Sequence, residues 1–323
     1  MRRYLTRRFL LMIPMLFGVT MISFLIMNLA PGDPTSFYVD PLVGQNDPEM
    51  LAIVRKSLGL DKPLPVRYAL WLGKTIKGDL GFSFISRRPV MDEIRSRIGN
   101  TLLLASVSMV ISLVVGVLIG VWSAVNQYKM SDYVLTVLAF IGVSMPSFWF
   151  AMMLILFLTG KLKLLPSVGM NSINVPPGFF NRFMDTLAHM VMPVLVMSLS
   201  SIARWARYQR SSMLEVIRQD FIRTARAKGL PQKKVIFKHA LRNAAIPIIT
   251  LLGMSLPSLI GGSFIIETVF GWPGMGRLGV NAIFNRDYPV VMGVTLFSSI
   301  LVMVGNLAAD VLYAVVDPRI RYR

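Results

Sequence analysis

The longest polar and basic stretch between two apolar runs is SMLEVIRQDFIRTARAKGLPQKKVIFKHALRNAAIP, from Ser212 to Pro247. Ser212 and Glu215 form an S-x-x-E capping box, which predicts that a helix starts there. Gly229 predicts the end of that helix, because glycine adopts the left-handed C′ conformation without steric cost. Pro231 then predicts the first turn of a second helix. The stretch therefore predicts a helix–glycine–helix elbow between apolar runs.

One side of the first predicted helix is apolar. Leu214, Ile217, Phe221, Ile222 and Ala225 recur at helical spacing, and the outside of the elbow is basic. On the residues alone, the simplest interpretation is a solvated cytoplasmic loop close to anionic lipid headgroups.

The composition indicates a polytopic membrane protein, since 54% of the 323 residues are hydrophobic and 15% are charged. Cysteine is absent, which excludes disulfides and thiolate chemistry. His189 and His239 are not at a metal-ligand spacing. Gly73-Lys74-Thr75 is not a P-loop, because its first glycine would fall on Tyr68. The residues therefore predict no catalytic site, no metal site and no cofactor bound by this chain.

Six apolar runs predict transmembrane helices, so the expected fold is an all-α integral membrane protein. Pro146 predicts a kink in the third helix, because it cannot donate to the carbonyl of Gly142. Gly116 and Gly120 form a G-x-x-x-G pattern, which permits close helix approach in the second. The fourth run is short and should continue as helix past Arg204. The predicted spans are residues 9–30, 101–125, 133–160, 186–203, 246–266 and 290–316.

The basic residues determine the expected orientation. Residues 1–8, 204–242 and 317–323 hold most of the +18 net charge, and the positive-inside rule assigns them and both termini to the cytoplasm. Stacking aromatic residues do not accompany this charge, so nucleic-acid binding is not expected. The predicted cytoplasmic segments are 1–8, 126–132, 204–245 and 317–323; the predicted extracytoplasmic segments are a large loop, 31–100, a second loop, 161–185, and a Gly-rich loop or half-buried re-entrant turn, 267–289.

The elbow resembles the coupling-loop motif of binding-protein-dependent ABC importer permeases. RTARAKG at residues 223–229 and HALRNAAIP at residues 239–247 follow the general form E-A-A-x-x-x-G, then I-x-L-P. Arg223 stands at the glutamate position and Thr224 at the first alanine, and the closing proline lies farther from the glycine than in the general form. These departures resemble the peptide and nickel branch of the family.

Further motifs extend the resemblance over nearly the whole chain. In order, they resemble the first of the two permease subunits of peptide-type ABC importers, a group that includes di- and oligopeptide, glutathione and nickel systems. The motifs are LAPGDP at 29–34, LGLDKPLP at 58–65, GDLGFS at 78–83, MPSFWF at 145–150, FGWPGMG at 270–276, NRDYP at 285–289 and DPRIRY at 317–322.

The resemblance implies that residues 101–316 are the transmembrane domain of an importer in a prokaryotic cytoplasmic (inner) membrane. It implies a second homologous permease, two cytoplasmic ATPase subunits that hold ATP and Mg, an extracytoplasmic solute-binding protein and a peptide substrate. The residues that it implies for coupling to the ATPase are Phe221, Arg223, Thr224, Ala225, Arg226, Ala227, Lys228, Gly229 and Leu230.

Asn306 and Asp310 share one face of the sixth predicted span, near its inner end. A carboxylate inside a membrane normally faces protein or water and finds a partner. Arg204, Arg207 and Arg210 are the nearest expected cations. Two interpretations stay open: a structural ion pair between helices, and a gate on the translocation pathway.

Other functions also stay open. The same machine could import nickel or glutathione instead of di- or oligopeptides. A stand-alone secondary transporter or channel is more remote, because such folds commonly have two similar halves and no convincing internal repeat is visible. A scaffolding membrane protein is disfavoured by the prolines within the spans and by the motif set.

Overall fold

A computed structural model of the protein describes residues 2–29, 48–57, 60–255 and 263–316. Within these residues the regular structure is helical, apart from one bridge between Phe82 and Pro89, which confirms the all-α prediction. The α-helices are α1 (Arg2–Leu29), α2 (Pro48–Ser57), α3 (Leu64–Ile76), α4 (Val90–Val125), α5 (Met130–Ser144), α6 (Ser147–Leu154), α7 (Phe179–Ile217), α8 (Asp220–Ala227), α9 (Gln232–Lys234), α10 (Leu241–Ala244), α11 (Ile246–Ser255), α12 (Phe264–Val269), α13 (Met275–Phe284) and α14 (Tyr288–Val316); π-helical turns follow α6 (Ile155–Lys161) and α9 (Val235–Ala240).

Four of the described helices are long and apolar enough to cross a membrane: Thr6–Leu29 within α1, α4, α7 and Tyr288–Val311 within α14. A fifth crossing is possible if α5 and the helical run Ser147–Lys161 form one span, although they bend by 103°. The predicted span 246–266 includes residues 256–262, which lie outside the described part of the chain.

The break between α5 and α6 lies at Pro146, where a kink was expected. Proline lacks an N–H and its ring collides with the preceding turn, so α5 ends at Ser144 and a new helix starts at Ser147. The position of the distortion is confirmed. The distortion itself is a broken helix, which is a larger change of direction than the predicted kink.

The capping-box prediction at Ser212 and Glu215 is wrong. Both residues lie inside α7, which continues past Arg204 as expected and ends at Ile217. No glycine or proline interrupts the chain between Arg204 and Ile217, so the helix simply continues. The Ser212 hydroxyl donates instead to the carbonyl of Ala244 at 3.0 Å.

The chain divides into two compact units, the first of which comprises residues 1–100 and 274–303. Tyr68 on α3 packs edge-on against Phe17 and Phe24 of α1, and its hydroxyl is 2.9 Å from that of Thr20. Met292 of α14 is buried in the same cluster. The long loop predicted after the first span therefore contains a helix that is packed against that span.

The second unit comprises residues 101–273 and 304–323. Here α4 and α7 cross at Gly116 and Gly120. A Cβ added to Gly120 would lie 2.6 Å from Cβ of Gln209 and 2.7 Å from the carbonyl oxygen of Ala206. Since real Cβ atoms do not approach so closely, the expected close helix approach is confirmed.

The turn after α12 is buried within the second unit. Trp272 has no exposed surface and packs with Leu104, Met190 and Val194. Phe270 is buried in a neighbouring cluster. The first part of the FGWPGMG motif is thus a core element of this unit.

Candidate functional site

The short helix α8 has one buried face. Ile222 has no exposed surface and Ala225 is 5% exposed. They pack in one cluster with Val121 of α4 and Met213 of α7, together with Ala124, Val235, Ile236, Ala240 and Ala244. Burial of these apolar side chains fixes the rotation of α8 about its axis.

A Schellman turn ends α8 at Gly229. The N–H of Gly229 donates to the carbonyl of Arg226 at 2.9 Å, and the N–H of Leu230 reaches the carbonyl of Ala225 at 3.4 Å. Gly229 has φ +74, which confirms the predicted left-handed glycine. Pro231 is the N-cap of the next helical segment, one position before the expected first turn.

The other face of α8 is exposed and basic. Phe221 is 43% exposed, although its ring is apolar. Arg223, Arg226 and Lys228 are exposed beside it, as are Thr224, Ala227 and Gly229, while Leu230 is half-buried. Arg223 forms an ion pair with Asp220 at 3.3 Å. Because this pair is on the surface, it contributes little to stability. The face therefore presents an aromatic ring and cations away from the packed core.

A carboxylate missed by the sequence analysis organises the turn between α4 and α5. Asp132 is 3% exposed, and its carboxylate accepts hydrogen bonds from both Nε and Nη2 of Arg210, at 3.0 and 2.8 Å. It also accepts from the Ser123 hydroxyl and from the N–H of Tyr128, whose φ is +65. Asp132 is the single acidic residue between positions 101 and 184. That isolation within an apolar region is the sequence signal that could have identified it.

The two pathway candidates lie on α14 in the second unit. Asn306 is exposed and Asp310 is half-buried. The structure pairs Arg210 with Asp132, not with Asp310. One of the three cations considered for Asp310 is therefore engaged elsewhere.

A cavity of about 540 Å³ opens between α5 and α7, with α4 beneath it. Its lining is mainly aliphatic and aromatic, and Arg204, Arg207 and Arg210 enter it from α7. This cavity was not predicted from the sequence. Its only sequence signal was the i, i+3, i+6 spacing of the three arginines.

A smaller cavity of about 260 Å³ has a more polar lining. Ser108 and Ser112 of α4, one helical turn apart, face it together with Ser200, Ser201 and Arg204 of α7. The hydroxyls of Ser108 and Ser112 donate to carbonyls of their own helix. Hydroxyls and a guanidinium group suit a hydrated, polar solute better than lipid tails.

In the first unit, Asp287 joins two segments that are distant in sequence. Its carboxylate accepts from the Ser83 hydroxyl and from the N–H of Phe84 at 3.0 Å. Ser83 belongs to the predicted loop 31–100 and Asp287 to the predicted loop 267–289. The two loops are thus held together by a buried carboxylate that is 3% exposed.

Comparison with known proteins covers almost the whole sequence. Residues 116–322 match the family of the binding-protein-dependent transport system inner membrane component, and residues 1–105 match its N-terminal membrane component. Over the full length of both chains, the sequence is 46% identical to the oligopeptide transport system permease protein AppB of Bacillus subtilis (strain 168). It is 38% identical to the dipeptide permease DppB of Escherichia coli (strain K12), and 39% identical to the glutathione permease GsiC of Escherichia coli O6:H1, again with full coverage.

A solved structure has the same fold. The structure titled "Inward facing conformations of the MetNI methionine ABC transporter" aligns with a TM-score of 0.55 at 20% identity, covering 70% of this chain and 97% of that one. Together with the apolar helices, these matches indicate that the protein is a multi-pass membrane protein. The chain belongs to the family of binding-protein-dependent transport system inner membrane components.

Proposed function

We propose that this chain is a permease subunit of an ATP-driven importer of di- and oligopeptides and forms half of its translocation pathway. The observation that carries this proposal is the full-length match to a family member named as an oligopeptide permease. The exposed, basic face of α8 supports it, because such a face offers a partner protein both an aromatic anchor and charge.

The proposed topology is that expected from the sequence, with six spans and both termini in the cytoplasm of a prokaryotic cell. The elbow, residues 204–245, then lies in the cytoplasm, and residues 31–100, 161–185 and 267–289 lie outside. The apolar helices and the basic segments support this arrangement.

The elbow is proposed to dock on an ATPase subunit through residues 221–230, with Phe221 entering a groove on that subunit. The two ATPase subunits would bind ATP and Mg, and this chain would bind no cofactor. Replacing Phe221 with alanine should lower uptake per ATP hydrolysed. Phe237→Ala removes another exposed ring of the elbow, outside α8, and is the matched control.

The remaining proposed partners are a second homologous permease and an extracytoplasmic solute-binding protein. We propose that the binding protein docks on the loops 31–100 and 267–289. The carboxylate of Asp287, which joins Ser83 and Phe84 of the first loop to the second, supports a shared platform. Deleting residues 40–55 should reduce the ATPase stimulation caused by loaded binding protein. Unchanged stimulation in a correctly inserted protein would rule out this docking role.

Asn306 and Asp310 remain candidates for a structural pair or a pathway gate. Asp310→Asn separates the two, since it keeps shape and removes charge. A structural role predicts lower complex stability with normal turnover per folded complex. A gate predicts normal assembly with raised basal ATPase activity or altered uptake. If Asp310→Asn and Asp310→Ala both leave assembly and transport unchanged, neither role holds.

The substrate is tested by uptake into proteoliposomes that contain the complete importer and its binding protein. The proposal predicts ATP-dependent uptake of labelled trialanine that stops when the binding protein is omitted. Glutathione is the second candidate, favoured by the 39% identity to a glutathione permease. Uptake of glutathione without trialanine would replace the proposed substrate, and uptake by this chain alone would contradict an ATP-driven importer.

A further inference from the structure

The cavity of about 540 Å³ has a defined direction along α5 and α7, the two helices that form its walls. At one end Leu199 of α7 contacts the position of Gly142 on α5, and at the other Arg210 binds Asp132. The helices α5 and α7 therefore run antiparallel along the cavity. It extends from Val143 on α5 past Arg204 toward Arg210.

Polarity changes along this direction. The end near Val143 is lined by Phe140, Ala139 and Val143, which offer apolar surface, and by Ser200 of α7. Arg204 and Arg207 enter farther along. A single cavity thus combines an apolar slot with a cationic end.

The two arginines differ from their neighbour Arg210 in their partners. Arg210 is neutralised by Asp132. Within the residues that the structure describes, Arg204 and Arg207 form no ion pair, and the Arg207 guanidinium lies 5.8 Å from the ring centre of Tyr208. Both are exposed, so their charge is available to an anion. Guanidinium groups are well suited to phosphate oxygens.

We propose that this cavity binds one anionic phospholipid. The phosphate of its headgroup lies at Arg204 and Arg207, and an acyl chain lies in the slot formed by Ala139, Phe140 and Val143. The lining changes from apolar to charged along the cavity, as a phospholipid changes from acyl chain to headgroup. The long direction of the cavity follows α5 and α7. A small hydrated anion would leave the slot unfilled, and a peptide would place polar backbone groups against apolar side chains.

The proposal is tested on the complete importer in nanodiscs made from equal amounts of phosphatidylcholine and phosphatidylglycerol. Phosphatidylglycerol that stays with the complex after transfer to detergent is quantified by mass spectrometry. The double variant Arg204→Gln with Arg207→Gln should retain about twenty-five-fold less, at roughly fivefold for each arginine near a membrane surface. Arg218→Gln removes the same charge at the exposed end of α7, outside the cavity, and should retain the wild-type amount.

A second variant tests the apolar slot without changing charge. Ala139→Phe fills the slot and should also lower retention at least tenfold, with the assembled complex recovered in wild-type yield. Equal loss in Arg218→Gln would reduce the effect to general surface charge and overturn the proposal. Full retention in Ala139→Phe would overturn the acyl-chain site. Displacement by inorganic phosphate alone would identify a free-anion site in its place, and retention of no phosphatidylglycerol by the wild type would refute lipid binding.

Discussion

The crossing of α4 over α7 and the elbow around α8 both depend on glycine, for opposite reasons. At Gly120 the backbone is ordinary helix but there is no room, since an added Cβ would lie 2.6 Å from Cβ of Gln209. At Gly229 there is open space within 4 Å but φ is +74. At the crossing, glycine is required because a larger side chain does not fit. At the elbow, glycine is required because the backbone is left-handed.

The crossing stabilises the fold, whereas the elbow presents an exposed surface that a partner protein can bind. Both glycines of the crossing are buried, and Asp132 binds Arg210 close to it. The elbow buries Ile222 and Ala225 but leaves Phe221 and the basic side chains outside. Substitutions at the crossing should therefore reduce folding, whereas substitutions on the exposed face of the elbow should spare folding and reduce coupling.

The largest effect is expected for Gly120→Ala. The new methyl group must displace the backbone of α7, so the folded state should lose about 3 kcal/mol, the upper range for overpacking. Gly99→Ala in the same helix is the control. It meets nothing within 4 Å and should stabilise the helix by about 0.5–1 kcal/mol. Thermal unfolding of the purified complex measures both, and equal melting temperatures would disprove the steric account of the crossing.

The next largest effect is expected for Asp132→Ala. It leaves Arg210 without its carboxylate, and we expect a loss of about 2 kcal/mol, less than for a fully buried pair. The reduction follows because the Arg210 side chain is 30% exposed. Asp220→Ala breaks the surface pair with Arg223 and should change stability by about 0.5 kcal/mol or less. Similar losses in the two variants would show that Asp132 is an ordinary surface residue.

The crossing, the elbow and the Asp132–Arg210 pair show which features can be predicted from sequence. The G-x-x-x-G pattern and Gly229 were predictable, because each rule concerns one helix or one turn. Arg210 and Asp132 are 78 positions apart, and no local pattern relates them. The capping box at Ser212 failed for a related reason: the rule weighs local hydrogen bonds, whereas the structure gives that hydroxyl a carbonyl 32 positions away.

The apolar stripe was predicted in part. Leu214 and Ile217 lie on α7, while Phe221, Ile222 and Ala225 lie on α8, so the stripe spans two helices and a turn. Ile222 and Ala225 are buried as expected, but Phe221 is exposed. Helical spacing cannot distinguish an aromatic ring that packs in the core from one that is exposed on the surface, because both fit the same periodicity.

A smaller effect on stability is expected at Gly229. Valine there must adopt a left-handed conformation, which costs about 1–2 kcal/mol, while its side chain has open space. The complex should still assemble, but the altered turn should shift α8 and lower uptake per ATP hydrolysed. Gly229→Asn tolerates this conformation and should retain most of the coupling. Wild-type transport by Gly229→Val would contradict the role of the turn.

The central claim is that the exposed face of α8 docks on an ATPase subunit. Because the chain has no cysteine, Phe221→Cys introduces a single thiol that can carry a benzophenone photo-crosslinker. In the assembled importer, irradiation should join this chain to an ATPase subunit through position 221, and Phe237→Cys should give much less of that product. Assembly without any crosslink from position 221, or an equal yield from both positions, would contradict the account.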